Sequence, residues 1–310
     1  MKHLYRYLAV FFVTLLCSCN VTSYNESERS NMTNTSESNK AKKVQVVVLA
    51  GQSNMEGHAW SQYLKYHFSQ NIVEKYQQGF DTRIAYNNNR LGNHSEGEFV
   101  KVKLGQGTDI GQFGPEIGIA ETIDNFGLGA SEKIYLIKYA VGATSLANNW
   151  RSPSSGFSGD CYLALVDYVN EQLVKLEAQD LYPEISAICF MQGEDDSTNG
   201  KHTEYESYLN AFIKDLRSEF SYYTSPHGIY FLDAGISNST PWTYYKEINQ
   251  AKINVASTDS LNIYIDTISE NLEFNKEPIY GPDIYHYDSD GQIKLGKMFG
   301  EVLRDYSIIA

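Results

Sequence analysis

The sequence predicts an α/β protein: a three-layer α/β/α sandwich with a central, mainly parallel sheet of five strands. Two observations predict this fold. Five short apolar runs have the length of strands, and several of them are rich in β-branched residues. Helical patterns of apolar residues lie between or after these runs. Strands that alternate with helices favour parallel pairing with right-handed crossovers and helices on both sheet faces.

The five predicted strands are apolar runs that are followed by turn residues. They are Val44–Leu49, Ile134–Tyr139, Ile185–Phe190, Ile229–Leu232 and Ile263–Ile265. The third run contains Cys189, whose apolar neighbours predict a buried thiol. The sequence leaves open whether Cys189 pairs with Cys161.

Five segments have apolar residues at the spacing of one helix face. The first begins with Pro-Glu, which suits the first turn of a helix, and it ends before Gly127. The predicted helices are Pro115–Asn125, Cys161–Gln179, Tyr205–Phe220, Tyr244–Ala256 and Gln292–Tyr306.

The stretch 58–113 interrupts this alternation of strands and helices. It is rich in Tyr, Asn, Gly and Gln, and the pattern around Phe99–Leu104 is that of a hairpin. Long connections in compact domains are often binding loops. Because this stretch directly follows the turn that carries Ser53, we expect it to overhang a site there and to shape a substrate pocket. The alternative is an insertion without a role in binding.

The first residues are typical of a secretion signal. Lys2 and Arg6 accompany the apolar run Leu8–Leu16, which is shorter than the roughly 20 residues of a membrane span. The sequence Leu16-Cys17-Ser18-Cys19 resembles the lipobox of bacterial lipoproteins, in which Cys19 would carry the lipid. We therefore expect a signal peptide over 1–19 and export to the bacterial envelope (periplasm or outer-membrane surface). Ordinary cleavage nearby is the alternative.

Residues 20–43 are rich in Ser, Asn, Thr and Glu and nearly free of apolar side chains. Such a segment cannot bury enough surface to order itself, so we interpret it as a disordered tether. Residues 44–310 have a suitable length for one α/β domain.

The formal charge of −13 is not offset by a basic stripe, which argues against nucleic-acid binding. Membrane contact is expected only through the lipid anchor.

Polar residues follow four of the predicted strands, at the edge of the sheet where ligands bind in open α/β folds. The first strand is followed by Ser53 and the second by Gly142. The third is followed by Gln192, and the fifth by a loop with Asp283 and His286. We expect these residues to meet at one edge of the sheet.

These residue types suit nucleophilic catalysis. A serine hydroxyl attacks only when a base takes its proton, and an imidazole titrates near neutral pH. A carboxylate on the other ring nitrogen fixes the tautomer, and the spacing of Asp283 and His286 allows this contact. The oxyanion of the tetrahedral intermediate needs hydrogen-bond donors. The backbone N–H groups of Ser53 and Gly142 and the side-chain amide of Gln192 meet that need.

An ordered set of motifs resembles the SGNH-type (GDSL-like) hydrolases of the sialate O-acetylesterase branch, close to carbohydrate esterase family six. The motifs span residues 44 to about 300. They are Gly51-Gln52-Ser53-Asn54-Met55, Phe113-Gly114-Pro115-Glu116, Tyr139-Ala140-Val141-Gly142 with Trp150, Gln192-Gly193-Glu194 with Asp196, and Asp283-x-x-His286.

The resemblance implies a flavodoxin-like SGNH-hydrolase fold and the removal of O-acetyl groups from sugars without a metal or an organic cofactor. It implies Ser53 as nucleophile, His286 as base and Asp283 as its partner, with Gly142 and Gln192 in the oxyanion hole. The chain departs from the founding pattern in two places. Gln192 replaces an asparagine, and Ala143 stands where a second glycine often follows Gly142.

Several residues near these motifs are candidates for contacts with substrate or for support behind the site. Gln52, Asn54 and Glu194 are three of them. Glu194 and Asp196 are expected mainly to bond the backbone behind it. A surface role is favoured for His58. Among the three tryptophans, Trp150 is the one expected to line a glycan groove, because it follows the Gly142 turn.

The sequence therefore predicts a serine esterase that removes acetyl groups from acetylated oligo- or polysaccharide through an acyl-enzyme. Acetylated xylan or another plant glycan and O-acetylated sialic acid are both open as substrates. A lipase or thioesterase on the same scaffold is an alternative, although it would need an apolar acyl groove. A non-catalytic glycan-binding lipoprotein is the alternative outside the enzymes.

Overall fold

A mostly parallel sheet forms the centre of the computed structural model, which describes residues 42–88, 93–128 and 134–309. Within these ranges the main sheet has eight strands, and two further strands pair separately. The strands are β1 (Lys42–Gly51), β2 (Ala59–Trp60), β3 (Phe80–Asn88), β4 (Asn93–His94), β5 (Val100–Val102), β6 (Gln112–Phe113), β7 (Ile134–Ala140), β8 (Leu181–Met191), β9 (Tyr230–Ala234) and β10 (Asn262–Ile265).

The main sheet has the order β10-β9-β8-β1-β7-β3-β4, with β5 also paired to β3. Strands β1, β3, β7, β8, β9 and β10 are mutually parallel, whereas β4 and β5 run antiparallel to β3. Strand β1 lies between β7 and β8, and its residues 46–51 are all buried. The continuous apolar sequence of β1 follows from burial on both faces.

Helices flank the sheet, as the sequence predicts. They are α1 (Ser53–Glu56), α2 (Gln70–Gln78), α3 (Glu116–Asn125), α4 (Asp160–Glu177), α5 (Glu194–Thr198), α6 (Tyr205–Glu219), α7 (Tyr245–Ala256) and α8 (Ser289–Asp305). Helix α3 packs against α8, and α6 packs against α7. Helix α8 begins three residues earlier than predicted because Asp288 caps it, with Oδ1 accepting from the Gly291 N–H at 2.9 Å.

The α/β class and all five predicted strands are confirmed, but the sheet is larger than predicted. The additional strands come from the stretch 58–113, which we expected to form only an overhang. Strand β3 pairs in parallel with β7 and thereby extends the sheet. The segment Val100–Val102 is a strand, but it pairs with β3 instead of closing a local hairpin.

The signal peptide predicted over 1–19 lies outside the described residues, as does most of the tether predicted over 20–43. Lys42 and Lys43 belong to β1, so the domain begins slightly before Val44.

No disulfide joins Cys161 to Cys189, and burial raises the pKa of the Cys189 thiol. Within the described ranges, no helix is long and apolar enough to cross a membrane.

A buried ion pair lies beneath the turn that carries Ser53. The Lys138 ammonium, on β7, donates to Glu116 Oε2 at 2.9 Å, and neither side chain is exposed. It also donates to the backbone carbonyls of Glu56 at 2.8 Å and Gln106 at 3.0 Å. Glu116 Oε1 accepts from the Gly114 N–H at 2.8 Å. A single cation thus joins the sheet, α1, α3 and the loop before β6.

We expect Lys138→Met to lower the free energy of unfolding by about 3–5 kcal/mol, because it leaves the Glu116 carboxylate buried without its cation. Urea denaturation at pH 7 measures this loss. Lys101→Met is the matched control, since Lys101 pairs with Asp81 at the exposed surface and should change stability little. Equal losses in the two variants would contradict the role assigned to Lys138.

Candidate active site

A cavity of about 490 Å³ opens at the carboxyl ends of the central strands. This is the edge where the sequence predicts the site. It collects residues from distant parts of the chain, including both the serine and the histidine that were predicted to act together. Among the residues that line it are Gln52, Ser53, Glu56, His58, Gly142 and His286.

Ser53 reaches this cavity because the chain turns sharply at the end of β1. Gly51 has φ +146°, and a Cβ atom there would lie 2.0 Å from the Met191 carbonyl oxygen of β8. Only glycine fits this close approach of the two strands. The Gln52 N–H donates to that same carbonyl at 2.9 Å, and α1 starts at Ser53. The serine is therefore presented at the strand tip with 7% of its surface exposed.

Asp283 and His286 form the predicted pair. Asp283 Oδ2 lies 2.6 Å from His286 Nδ1, and Asp283 Oδ1 accepts from the Tyr285 N–H at 2.8 Å. Burial raises the pKa of the Asp283 carboxyl, but the hydrogen bond and charge of His286 outweigh burial, so the pKa lies below its ordinary value. The carboxylate stays ionised and holds Nδ1, which leaves Nε2 as the nitrogen that can accept a proton.

Asn54 links the serine turn to the histidine loop. Its side chain is buried and donates to Glu194 Oε1 at 2.8 Å, while its Oδ1 accepts from the Tyr287 N–H at 3.1 Å. Tyr287 directly follows His286. The Asn54 carbonyl also accepts from Gln292 Nε2 of α8 at 2.6 Å. Asn54 therefore supports the site from behind and does not line the cavity.

Ser53 and His286 face the same cavity but are not hydrogen-bonded to each other in the described chain. A nucleophile and its base are often further apart in a free enzyme and come together when substrate binds. The residues predicted as nucleophile, base and carboxylate are thus brought together at the end of the sheet.

The two remaining oxyanion donors differ from the prediction. Gly142 lines the cavity, but its N–H donates to Glu56 Oε2 at 2.9 Å. Gln192 is fully buried and does not line the cavity. Its amide nitrogen donates to Asp196 Oδ2 at 2.6 Å and to the Thr144 carbonyl at 3.0 Å. The prediction that Gln192 faces the oxyanion is therefore wrong, because its side chain holds the loops behind the site.

Gln52, Glu194 and Asp196 complete this supporting layer. In the flipped orientation of its amide, Gln52 donates to the Thr144 carbonyl at 3.1 Å and to Glu194 Oε2 at 3.2 Å. Gln52 thereby links the floor of the cavity to α5. Burial raises the pKa of Glu194, and the hydrogen bond from Asn54 lowers it in part. Asp196 accepts from the N–H groups of Leu146 and Ala147 at 2.8 and 3.0 Å. Asp196 thus bonds the backbone behind the site, as expected, whereas Glu194 bonds the side chain of Asn54.

Trp150 does not line the cavity, so that prediction is also wrong. The ring is fully buried, Nε1 donates to Thr144 Oγ1 at 2.8 Å, and the indole packs edge-on against Phe190 and Phe212. The aromatic wall of the cavity is formed by Trp242 and Tyr285, whose ring centroids are 5.8 Å apart. Flat rings of this kind suit the apolar face of a sugar.

The sequence interpretation missed Glu56, and it noted that His58 is close enough to Ser53 to matter for binding. Both line the cavity, although a surface role was favoured for His58. Their position directly after Ser53 was the available signal, because residues that follow a nucleophile turn stay near it. The stretch 58–113 also contributes Thr108 to the cavity, so its predicted role in shaping a pocket is supported.

The cavity has an acidic character. Glu56 and Asp195 bring carboxylates to its lining, and none of the lining residues is a lysine or an arginine. Thr198, from the end of α5, adds a hydroxyl beside Asp195. Within the described residues, the site therefore offers no cation to an anionic ligand.

Comparison with protein families gives one match that covers most of the chain. The family model for carbohydrate esterases described as sialic acid-specific acetylesterases matches residues 43–305. These residues include every element from β1 to α8, together with Ser53, Asp283 and His286. No curated protein sequence matches significantly.

Two solved structures have a similar fold. A protein of Arabidopsis thaliana superposes with a TM-score of 0.57 at 18% identity, over 84% of this chain and 98% of its own. The structure of NanS superposes with a TM-score of 0.56 at 14% identity, over 86% of this chain and 98% of its own. The likeness at these identities concerns the fold.

Proposed function

Because the chain belongs to the sialic acid-specific acetylesterase family of carbohydrate esterases, we propose that it is a serine esterase that removes O-acetyl groups from neutral saccharides. Family membership makes the chain a carboxylic ester hydrolase. The serine mechanism and the preference for a neutral sugar are the proposed parts. The observation that carries the mechanism is a single cavity lined by both Ser53 and His286, with Asp283 bonded to Nδ1 of that histidine.

In the proposed mechanism, Ser53 Oγ attacks the carbonyl carbon of the acetyl ester while His286 Nε2 takes the hydroxyl proton. Asp283 stabilises the imidazolium through Nδ1. The imidazolium then protonates the leaving sugar oxygen, and an acetyl group remains on Ser53. A water molecule, deprotonated by the same nitrogen, attacks this acetyl group and releases acetate.

The oxyanion requires donors beside Ser53. The Ser53 N–H is one candidate, because the first amides of a helix have no acceptor within it. The Gly142 N–H is the second, because Gly142 lines the cavity and lies beside Ser53. Gln192 is not included, because it is fully buried and does not line the cavity.

A neutral sugar fits the cavity better than a sugar acid. Glu56 and Asp195 would repel a carboxylate on the substrate, and no lysine or arginine among the lining residues would offset them. Like charges that face each other in a binding site cost several kcal/mol. Acetylated xylan and related plant glycans therefore suit this site better than sialic acid, and Trp242 and Tyr285 offer apolar surface to a pyranose ring.

Ser53→Ala should lower kcat/KM for 4-nitrophenyl acetate by at least about 1000-fold, because no other group can form the acetyl-enzyme. Ser145→Ala is the matched control, since Ser145 is a buried serine on the loop after β7 whose hydroxyl has no partner. This control should keep near wild-type activity. Equal rates for wild type and Ser53→Ala would remove Ser53 from the mechanism.

Removing the negative charge of the carboxylate of a sialic acid substrate should increase kcat/KM. We expect kcat/KM for acetate release from the methyl ester of 9-O-acetyl sialic acid to exceed that for the free acid by about 10-fold, a difference of about 1.4 kcal/mol. The Asp195→Asn variant should lower this ratio, because it removes one of the two carboxylates that repel the free acid. If the free acid is hydrolysed as fast as its methyl ester, the proposed preference for neutral sugars fails.

We also propose that the protein is exported and anchored through a lipid on Cys19. The support is the sequence itself, with Lys2, Arg6, the apolar run Leu8–Leu16 and the lipobox-like segment. In a bacterial host, the full chain should incorporate labelled palmitate, and Cys19→Ser should abolish the label. Incorporation that persists in Cys19→Ser would rule out this residue as the anchor.

A further inference from the structure

A second histidine lies against the proposed base. The rings of His58 and His286 are stacked, with centroids 4.1 Å apart and an angle of 13° between their planes. Both line the cavity that contains Ser53. The Nδ1 contact with Asp283 holds one edge of the His286 ring, and the His58 ring covers one of its faces.

Two hydrogen-bond partners hold the His58 ring. Its Nε2 lies 3.2 Å from Glu56 Oε2 and 2.9 Å from Thr108 Oγ1. Glu56 comes from the end of α1, whereas Thr108 comes from the loop before β6. The His58 side chain is 24% exposed, so these contacts fix a ring that would otherwise be free to turn into the cavity.

Glu56 also contacts the glycine at the end of β7. The same Oε2 atom that faces His58 accepts from the Gly142 N–H at 2.9 Å. The Glu56 side chain is almost fully buried, and its Oε1 has no hydrogen-bond partner among the described residues. Below it, the Glu56 carbonyl accepts from the buried Lys138. The carboxylate is therefore held in place between the glycine turn and His58.

We propose that Glu56 and His58 act as a positioning pair, in which Glu56 orients His58 and the stacked His58 ring fixes the plane of His286 in front of Ser53. This inference rests on the proposed function, in which His286 is the base. It assigns a role in the esterase reaction to two residues that need not touch the reacting atoms.

The charges around the pair are consistent with this role. Burial lowers the pKa of His58, its contact with Glu56 raises it in part, and the neighbouring His286 lowers it further. The net direction keeps the His58 ring neutral near pH 7. A neutral ring can stack on His286 in both protonation states, whereas a charged one would repel the imidazolium formed during the attack.

The expected effect follows from the geometry of attack. A displacement of about 1 Å at the reacting atoms costs about 100-fold in rate. Loss of the stack should therefore reduce kcat, whereas KM should change little, because the proposed role of His58 is exerted through the His286 ring. His58→Phe keeps a flat ring on His286 but loses the contact with Glu56, so it should recover only part of the lost kcat.

The test compares variants of the whole protein with 4-nitrophenyl acetate. We expect His58→Ala to lower kcat by 10- to 100-fold with KM within about 3-fold, and the kcat of His58→Phe to lie between those of His58→Ala and wild type. His202→Ala is the matched control, because His202 stacks on Tyr244 at 3.8 Å but does not line the cavity. This control should keep wild-type kcat.

Glu56 is tested by a double-mutant cycle. If Glu56 acts through His58, Glu56→Ala and His58→Ala should each lower kcat, and the double variant should be no worse than about 3-fold below the poorer single variant. Thermal melting confirms that each variant is folded. Losses that multiply in the double variant would show that the two residues act independently and would overturn the pair.

Two outcomes would overturn the role of His58. One is wild-type kcat in a folded His58→Ala. The other is a His58→Phe variant as slow as His58→Ala, which would assign the effect to the ring nitrogens instead of the stack. The failure of the proposed function itself gives a different result, since wild type and Ser53→Ala would then hydrolyse the ester equally.

Discussion

The serine turn depends on a positive charge buried beneath it. Lys138 lies in the parallel strand β7, where no water reaches its ammonium group, and it is satisfied by Glu116 and two backbone carbonyls. One of those carbonyls belongs to Glu56, the last residue of α1. A buried cation needs all of its partners, so the sheet, α1, α3 and the loop before β6 can adopt only one mutual arrangement. The position of Ser53 follows from that constraint.

Most of the fold could be predicted because the central strands are buried on both faces and therefore have continuous apolar sequences. Strand β3 was missed because it has the mixed sequence FDTRIAYNN, in which polar residues interrupt the apolar pattern. Ser53, Asp283 and His286 could be predicted because a strand end and a short spacing determine where such side chains lie. The backbone determines the positions of these three residues more strongly than contacts between side chains do.

The wrong predictions about the site concern the directions in which side chains point, because a sequence does not encode these directions directly. Gln192 follows β8 as predicted, yet its amide turns inward to Asp196 because burial requires every polar group to be bonded. Trp150 turns inward because its indole N–H finds Thr144 and its ring fills a gap between aromatic neighbours. The stack of His58 on His286 joins residues from opposite ends of the domain, and no local pattern reports it.

The distance along the chain between Ser53 and the Asp283–His286 loop has a consequence for biosynthesis. The loop is held between β10 and α8, and α8 packs on α3. A ribosome completes the serine turn early, but the imidazole arrives only with the final segment. A nascent chain therefore contains Ser53 well before the residues of the Asp283–His286 loop have been added. The cavity that Ser53 and His286 line is complete only after this last segment has packed against the rest of the domain.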